Sequence, residues 1–353
     1  MNDDMTNQTT PYLREVTEMP EALGNLVAFY REEGWERMES WRVQATATGR
    51  VRFSGMGTSY FAPLLIADRL VRMGVDSTYH DAGELTHYPL AGKGVFVLLS
   101  QSGESVETRK LAEQCPFEGP LGAIVNNNDS TIARRANWHL PMCAGNETAI
   151  STKTYLNTLG VLHLMGQALG GKKDFLTGLE RLEKLADELG HTLHSNDAQI
   201  EEAAQRLRET QALHFIARGP AMVSAQQAEL TFMEGSRMTC KAFTGGAFKH
   251  GPYELADEKH RCVLYIPGGK TEALLQATAE DLAGKRSTGI IITDTKLNLK
   301  TKSYTVLRVP NHGEDLFPAA ASVTQALLLA SVAKAKGLTA GQFRNSQKIT
   351  DTE

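Results

Sequence analysis

The chain has 353 residues, 41% of them hydrophobic and 22% charged, with a formal net charge of −4. This length exceeds one ordinary core and suits two domains with helical connections, while the slight acidity leaves no basic footprint for nucleic acid. The four cysteines (Cys115, Cys143, Cys240 and Cys262) form no CxxC pair, which argues against a zinc site or a disulfide framework. The N-terminus has no apolar signal core and the longer apolar stretches are broken by polar residues, so no membrane segment and a cytoplasmic location are expected.

In chain order, residues 1–44 read as a polar tail followed by helix. Leu23, Leu26, Val27 and Tyr30 recur at helical spacing after Pro20, a pattern expected of a lid or interface helix. Residues 45–170 read as an α/β domain. A strand over 50–55 leads into Gly55-Met56-Gly57-Thr58-Ser59, and an amphipathic helix is predicted from Tyr60 to Met73. Apolar runs at 75–79, 95–99, 121–125 and 138–142 alternate with helical patterns, which predicts a doubly wound parallel sheet.

The run 95–99 ends in Ser100-Gln101-Ser102-Gly103-Glu104-Ser105, followed at once by a charged amphipathic segment to Gln114. Strand, turn and helix in that order place the serine hydroxyls and the N–H groups of Ser102 to Ser105 at a helix N-terminus, where an anion is favoured. The local alternative is that Ser102 or Ser105 merely caps the helix. Thr58-Ser59 forms a second such turn. In doubly wound sheets ligands lie at the carboxyl ends of strands where their order reverses, so the two turns can share one crevice. A dinucleotide fingerprint is rejected because its third glycine position holds Tyr60.

Residues 145–153 are predicted to open a long helix reaching Leu169, with Glu147 in its first turn. Residues 171–208, rich in Leu, Glu, Lys and Ala without proline, form a helical connector. Residues 209–340 repeat the α/β pattern: a strand over 212–217, the turn Arg218-Gly219-Pro220, a helix over 221–237, then Cys262 to Ile266 followed by Gly268-Gly269-Lys270. The offsets from Phe53 to Phe215 and from Gly103 to Gly269 are 162 and 166 residues, consistent with an internal duplication. The second copy lacks the serine cluster. It offers acid–base groups instead: Glu234 among Leu230, Phe232 and Met233, and His250 in a Gly-rich loop. A surface glutamate and a turn histidine are the ordinary local readings of those two residues.

Taken together, Gly57-Thr58-Ser59, the serine motif, Glu147 to Lys153, Glu234 and Lys249-His250-Gly251-Pro252 resemble the tandem sugar isomerase (SIS) domains of the isomerase half of glucosamine-6-phosphate synthase. The likeness runs from Leu13-Arg14-Glu15-Val16 to residues 344–353. It implies two tandem, flavodoxin-like parallel-sheet domains. It also implies that Ser59, Ser100, Gln101, Ser102 and Ser105, with Thr58 beside them, bind a sugar phosphate, and that Ala149 and Ser151 contact sugar hydroxyls. In this reading Glu234 moves a proton between C1 and C2, His250 assists ring opening from a neighbouring subunit, and Lys348 closes over the sugar from a tail at 341–353.

A homodimer with shared sites acting on a small anionic sugar is the expectation, without metal or other cofactor. The glutamine amidotransferase domain of the synthase is expected to be absent. Thr231 stands where the synthase and similar deaminases carry a lysine three residues before the glutamate. Phe232-Met233-Glu234 with His250-Gly251-Pro252-Tyr253-Glu254 looks closer to deglycases of phosphorylated fructosamines, and losing an ammonium beside the base would tend to raise the Glu234 pKa. Aldose–ketose isomerisation of a sugar 6-phosphate is the leading expectation. Amine release from a fructosamine or amino-sugar phosphate, isomerisation of a sulfonated sugar, and a non-catalytic sensor are the alternatives.

Overall fold

The computed structural model describes residues 10–115 and 117–345. Three helices come first: α1 (Pro11–Thr17), α2 (Met19–Glu32) and α3 (Gly34–Thr48). Thr10 caps α1, its hydroxyl accepting from the Leu13 N–H, and Gly49 ends α3 at a left-handed φ of 60°. These helices are not a lid. Leu23, Leu26, Tyr30, Met38 and Trp41 are wholly buried in the main core. The Trp41 indole N–H donates to the Met165 carbonyl at 3.0 Å, and the Tyr30 hydroxyl to that of Pro141 at 3.0 Å. The apolar spacing reported a buried face, and the partner of that face is intramolecular.

The first sheet comprises β1 (Arg50–Gly55), β2 (Asp76–Asp81), β3 (Val95–Ser100), β4 (Leu121–Val125) and β5 (Trp138–Pro141), in the order β2-β1-β3-β4-β5. Every neighbouring pair is parallel. The crossovers carry α4 (Thr58–Phe61), α5 (Leu64–Arg72), α6 (Ala82–His87), α7 (Val106–Glu113) and α8 (Thr131–Arg135). Every residue of β3 and β4 is buried, as a parallel strand covered on both faces requires. The helix predicted from Tyr60 to Met73 is broken in two near Pro63, whose missing N–H cannot continue α4.

Helices α9 (Lys153–Ala168), α10 (Lys172–Ser195) and α11 (Asp197–Leu207) lead to the second sheet: β6 (Ala212–Ala217), β7 (Thr239–Thr244), β8 (Arg261–Ile266), β9 (Thr288–Thr293) and β10 (Tyr304–Arg308). Its order is β7-β6-β8-β9-β10, again parallel throughout, with α12 (Met222–Ser236), α13 (Gly245–Lys249) and α14 (Glu272–Gly284) at the crossovers. The two sheets therefore have one topology, that of flavodoxin-like folds. Phe53 and Phe215, the pair that suggested duplication, are both the fourth residue of their sheet's first strand. The final helix, α15 (Phe317–Ala335), is apolar almost all round and lies in the core shared by the two halves. One face of each sheet meets that shared core; the other carries its own smaller cluster under α6–α8 or α13–α14.

Candidate functional site

The strand order of the first sheet reverses between β1 and β3, and both turns of interest sit there. Gly55 ends β1 where a Cβ would lie 2.7 Å from the Ser59 Cβ and 2.8 Å from the Leu99 carbonyl oxygen. The missing side chain lets the two turns approach. After β3, Gly103 takes a φ of +67°, and a Cβ there would overlap the Ser130 side chain.

Within the serine turn, the Gly103 N–H donates to Ser100 Oγ at 3.0 Å and the Glu104 N–H to Ser102 Oγ at 3.1 Å. Those two N–H groups are thus used inside the turn, which corrects the expectation that all four from Ser102 to Ser105 face an anion. Accepting these bonds leaves the Ser100 and Ser102 hydroxyls able to donate as well. Ser105 occupies the N-cap position of α7, yet no side chain caps that helix; its hydroxyl lies 3.4 Å from that of Ser100. The capping reading of Ser105 is set aside. Glu104 turns away, its carboxylate accepting from the Thr131 N–H at 2.7 Å and the Thr131 hydroxyl at 3.0 Å at the start of α8.

Beside these turns runs the segment before α9. Its helix begins at Lys153, not at Gly145 as predicted, because two buried carboxylates hold 147–152 in an irregular path. Glu15 accepts from the Thr148 N–H at 2.6 Å and the Ala149 N–H at 3.2 Å. Glu147 accepts from the N–H groups of Thr152 at 2.9 Å and Thr154 at 3.0 Å, and from the Thr154 hydroxyl at 2.7 Å. The Ala149 N–H is committed to Glu15, so a backbone contact of Ala149 with a sugar would run through its carbonyl. Burial, reinforced by Glu147, Glu234 and Glu15, pushes the nearby Tyr12 phenol well up, so it stays protonated.

The second half contributes α12. Gln227, 2% exposed, accepts from the Thr58 hydroxyl at 2.8 Å and donates to the Ser151 carbonyl at 3.3 Å, tying both cavity-lining segments to this helix. Thr231, one turn on, is buried and donates its hydroxyl to the Gln227 carbonyl at 2.8 Å. Glu234 is exposed at the mouth, with Met233 beside it 41% exposed and Phe232 turned into the core. Its setting is less apolar than the sequence suggested, because the helix divides its apolar residues between two faces.

One cavity of about 300 Å³ is lined by Thr58, Ser59, Ser100, Gln101, Ser102 and Ser105, by Ala149 and Ser151, and by Glu234. The last described residues pass alongside: Phe343 lines this cavity, and Phe343 to Asn345 share an adjoining recess with Glu234. His250 is not among the lining residues; it is exposed at the C-terminal end of α13. Lys348 lies outside the described residues. Sequence reasoning missed Gln227, which looked like an ordinary helical residue. It also passed over Thr154 and Glu107, which line the cavity from just past the motifs already singled out.

The SIS domain family model matches residues 46–168 and 206–333. Over 355 aligned residues the chain is 26% identical to a glutamine–fructose-6-phosphate aminotransferase of Rhizobium meliloti, covering 96% of this chain and 58% of that protein. The chain thus spans little more than half the length of that relative. Among solved structures, the C-terminal domain of glucosamine-fructose-6-phosphate aminotransferase from Francisella tularensis superposes with a TM-score of 0.83 at 20% identity, covering 95% of this chain and 99% of that one. A glucosamine-6-phosphate deaminase from Thermotoga maritima gives 0.73 at 16% identity, covering 97% and 100%. With two family segments falling on two sheets of one topology, the chain belongs to the SIS-domain family.

Proposed function

We propose that this protein is an enzyme that enolises an anionic hexose, a sugar 6-phosphate, between C1 and C2. The observation that carries this reading is one cavity lined both by hydroxyl-rich turns from the first half and by the Glu234 carboxylate from the second. The turns would hold the phosphate through hydroxyl donors. Glu234 would take a proton from one carbon of the open-chain sugar and return it to the other through an enediol, after His250 has assisted ring opening. The homodimer with shared sites expected from the sequence belongs to this proposal, since His250 lies outside the cavity of its own chain.

Feeding the protein fructose 6-phosphate and glucose 6-phosphate in deuterated water, with NMR detection, tests it. Interconversion with deuterium entering at C1 or C2 is expected; no exchange and no turnover of any hexose phosphate would overturn it. Glu234→Gln should lower turnover by roughly 10²–10⁴-fold while the sugar still binds. A second reading, enolisation that expels an amine from an amino-sugar or fructosamine phosphate, is favoured by Thr231, whose buried hydroxyl stands where related enzymes keep a lysine. Release of free amine without aldose–ketose interconversion would select it.

A further inference from the structure

Glu107 stands two residues past Ser105, in the first turn of α7, and lines the same cavity while only 6% exposed. Its Oε2 is fully buried with no hydrogen-bond partner among the described residues. Glu104, three positions earlier in the same motif, has both carboxylate oxygens engaged by Thr131. A buried carboxylate oxygen without a donor is costly, and the dipole of a helix N-terminus offsets only part of that cost. Such a group calls for an explanation, and one that lines a cavity has a bound ligand among the candidates.

The charges around it narrow that use. The described lining of the cavity holds two carboxylates, Glu107 and Glu234, and no lysine, arginine or histidine. A ligand carrying negative charge alone meets repulsion from both carboxylates in a partly water-excluded space. A ligand that brings a cation along with its oxyanion has a carboxylate of the lining to meet as well as the hydroxyl-rich turns. An ammonium group satisfies a buried carboxylate better than a hydroxyl does, because the hydrogen bond is charge-assisted on both sides.

We propose that Glu107 is a specificity-determining residue whose carboxylate accepts from an ammonium group of the ligand, so that the site favours amino-sugar phosphates over the same sugars bearing a hydroxyl. This rests on the hexose phosphate reading above. It assigns to the serine motif a second task besides holding the phosphate.

The test is calorimetric titration near neutral pH with two probes that lack a carbonyl and cannot turn over: glucitol 6-phosphate and its 2-amino-2-deoxy analogue. Wild type should bind the amino compound about tenfold tighter or more. In Glu107→Gln, which keeps the side-chain shape without the charge, the preference should largely vanish while glucitol 6-phosphate binds as well or better. Equal affinities in wild type, or a preference that survives in a folded Glu107→Gln, would overturn the role of Glu107 and leave the phosphosugar reading standing. Failure of wild type to bind either probe would remove that reading and this inference together. The wild-type comparison needs no variant, so the proposal stays testable even if the substitution impairs folding.

Discussion

Gly103 shows how one backbone position shapes the serine turn. Its φ of +67° lets Ser100 Oγ receive the Gly103 N–H, and the space a Cβ would need is filled by Ser130, whose own hydroxyl caps α8. Gly103→Ala should therefore cost about 1–2 kcal/mol for the left-handed backbone alone, with the overlap added. A lowered melting temperature together with loss of phosphate binding in titration is the expected outcome; a variant that binds phosphate normally would contradict it. Gln227 acts on the same site from the other half of the molecule. Gln227→Ala removes the bonds to Thr58 and Ser151 at once, so KM should rise about tenfold with a smaller fall in kcat, since Glu234 is untouched. Gln227→Glu should keep the Thr58 bond and lose only the one to the Ser151 carbonyl, giving an intermediate KM. Nothing in the sequence marks Gln227, because a glutamine within a helix has no spacing that reveals a partner 76 or 169 residues away.

Among the elements, those with a one-sided or wholly buried pattern were legible. Val95 to Leu99 and Leu121 to Val125 are central strands buried on both faces, and the sequence places them within a residue of their observed ends. The edge strand β7 was not legible: Thr239 and Lys241 are exposed, so no apolar run announces it. The start of α9 was misplaced because the carboxylates that hold its approach, Glu15 and Glu147, act over distances that local spacing cannot report.

The second sheet also carries a relay that the sequence did not suggest. His214 Nδ1 lies 2.9 Å from His260 Nε2, and His260 Nδ1 lies 2.6 Å from Ser287 Oγ, beneath Phe248 of α13. Burial, and then His214, push His260 down to about 4 from its ordinary 6.5. The unfolded chain binds protons in that interval that the folded one refuses. The stability this contributes is complete above pH 6.5 and declines as pH falls through the interval to about 4. Burial pushes His163 in the main core down to about 3, in the same sense. Melting temperature followed across this range should fall steadily in wild type and less steeply in His260→Gln; parallel slopes would show that the relay does not titrate on unfolding.

At the scale of the molecule, two sheets of one topology have divided the work: the first presents the hydroxyl-rich turns, and the second turns the end of α12 toward them. His250 belongs to this second half yet sits exposed at the end of α13, away from the cavity of its own chain. A copy related by a two-fold axis could present that histidine to the neighbouring cavity, since an isologous contact brings the same surface to both sites. Glu234→Gln and His250→Ala are then each expected to be nearly inactive alone, and mixing them becomes informative. In a mixed dimer, one site would combine both substitutions and the other would join an intact Glu234 to an intact His250 from the opposite subunit. Random reassociation of equal amounts should restore about a quarter of wild-type activity, because half the dimers are mixed and each has one competent site. If His250 acts within its own chain, no combination of subunits regenerates a site with both groups, and the mixture stays as inactive as its components.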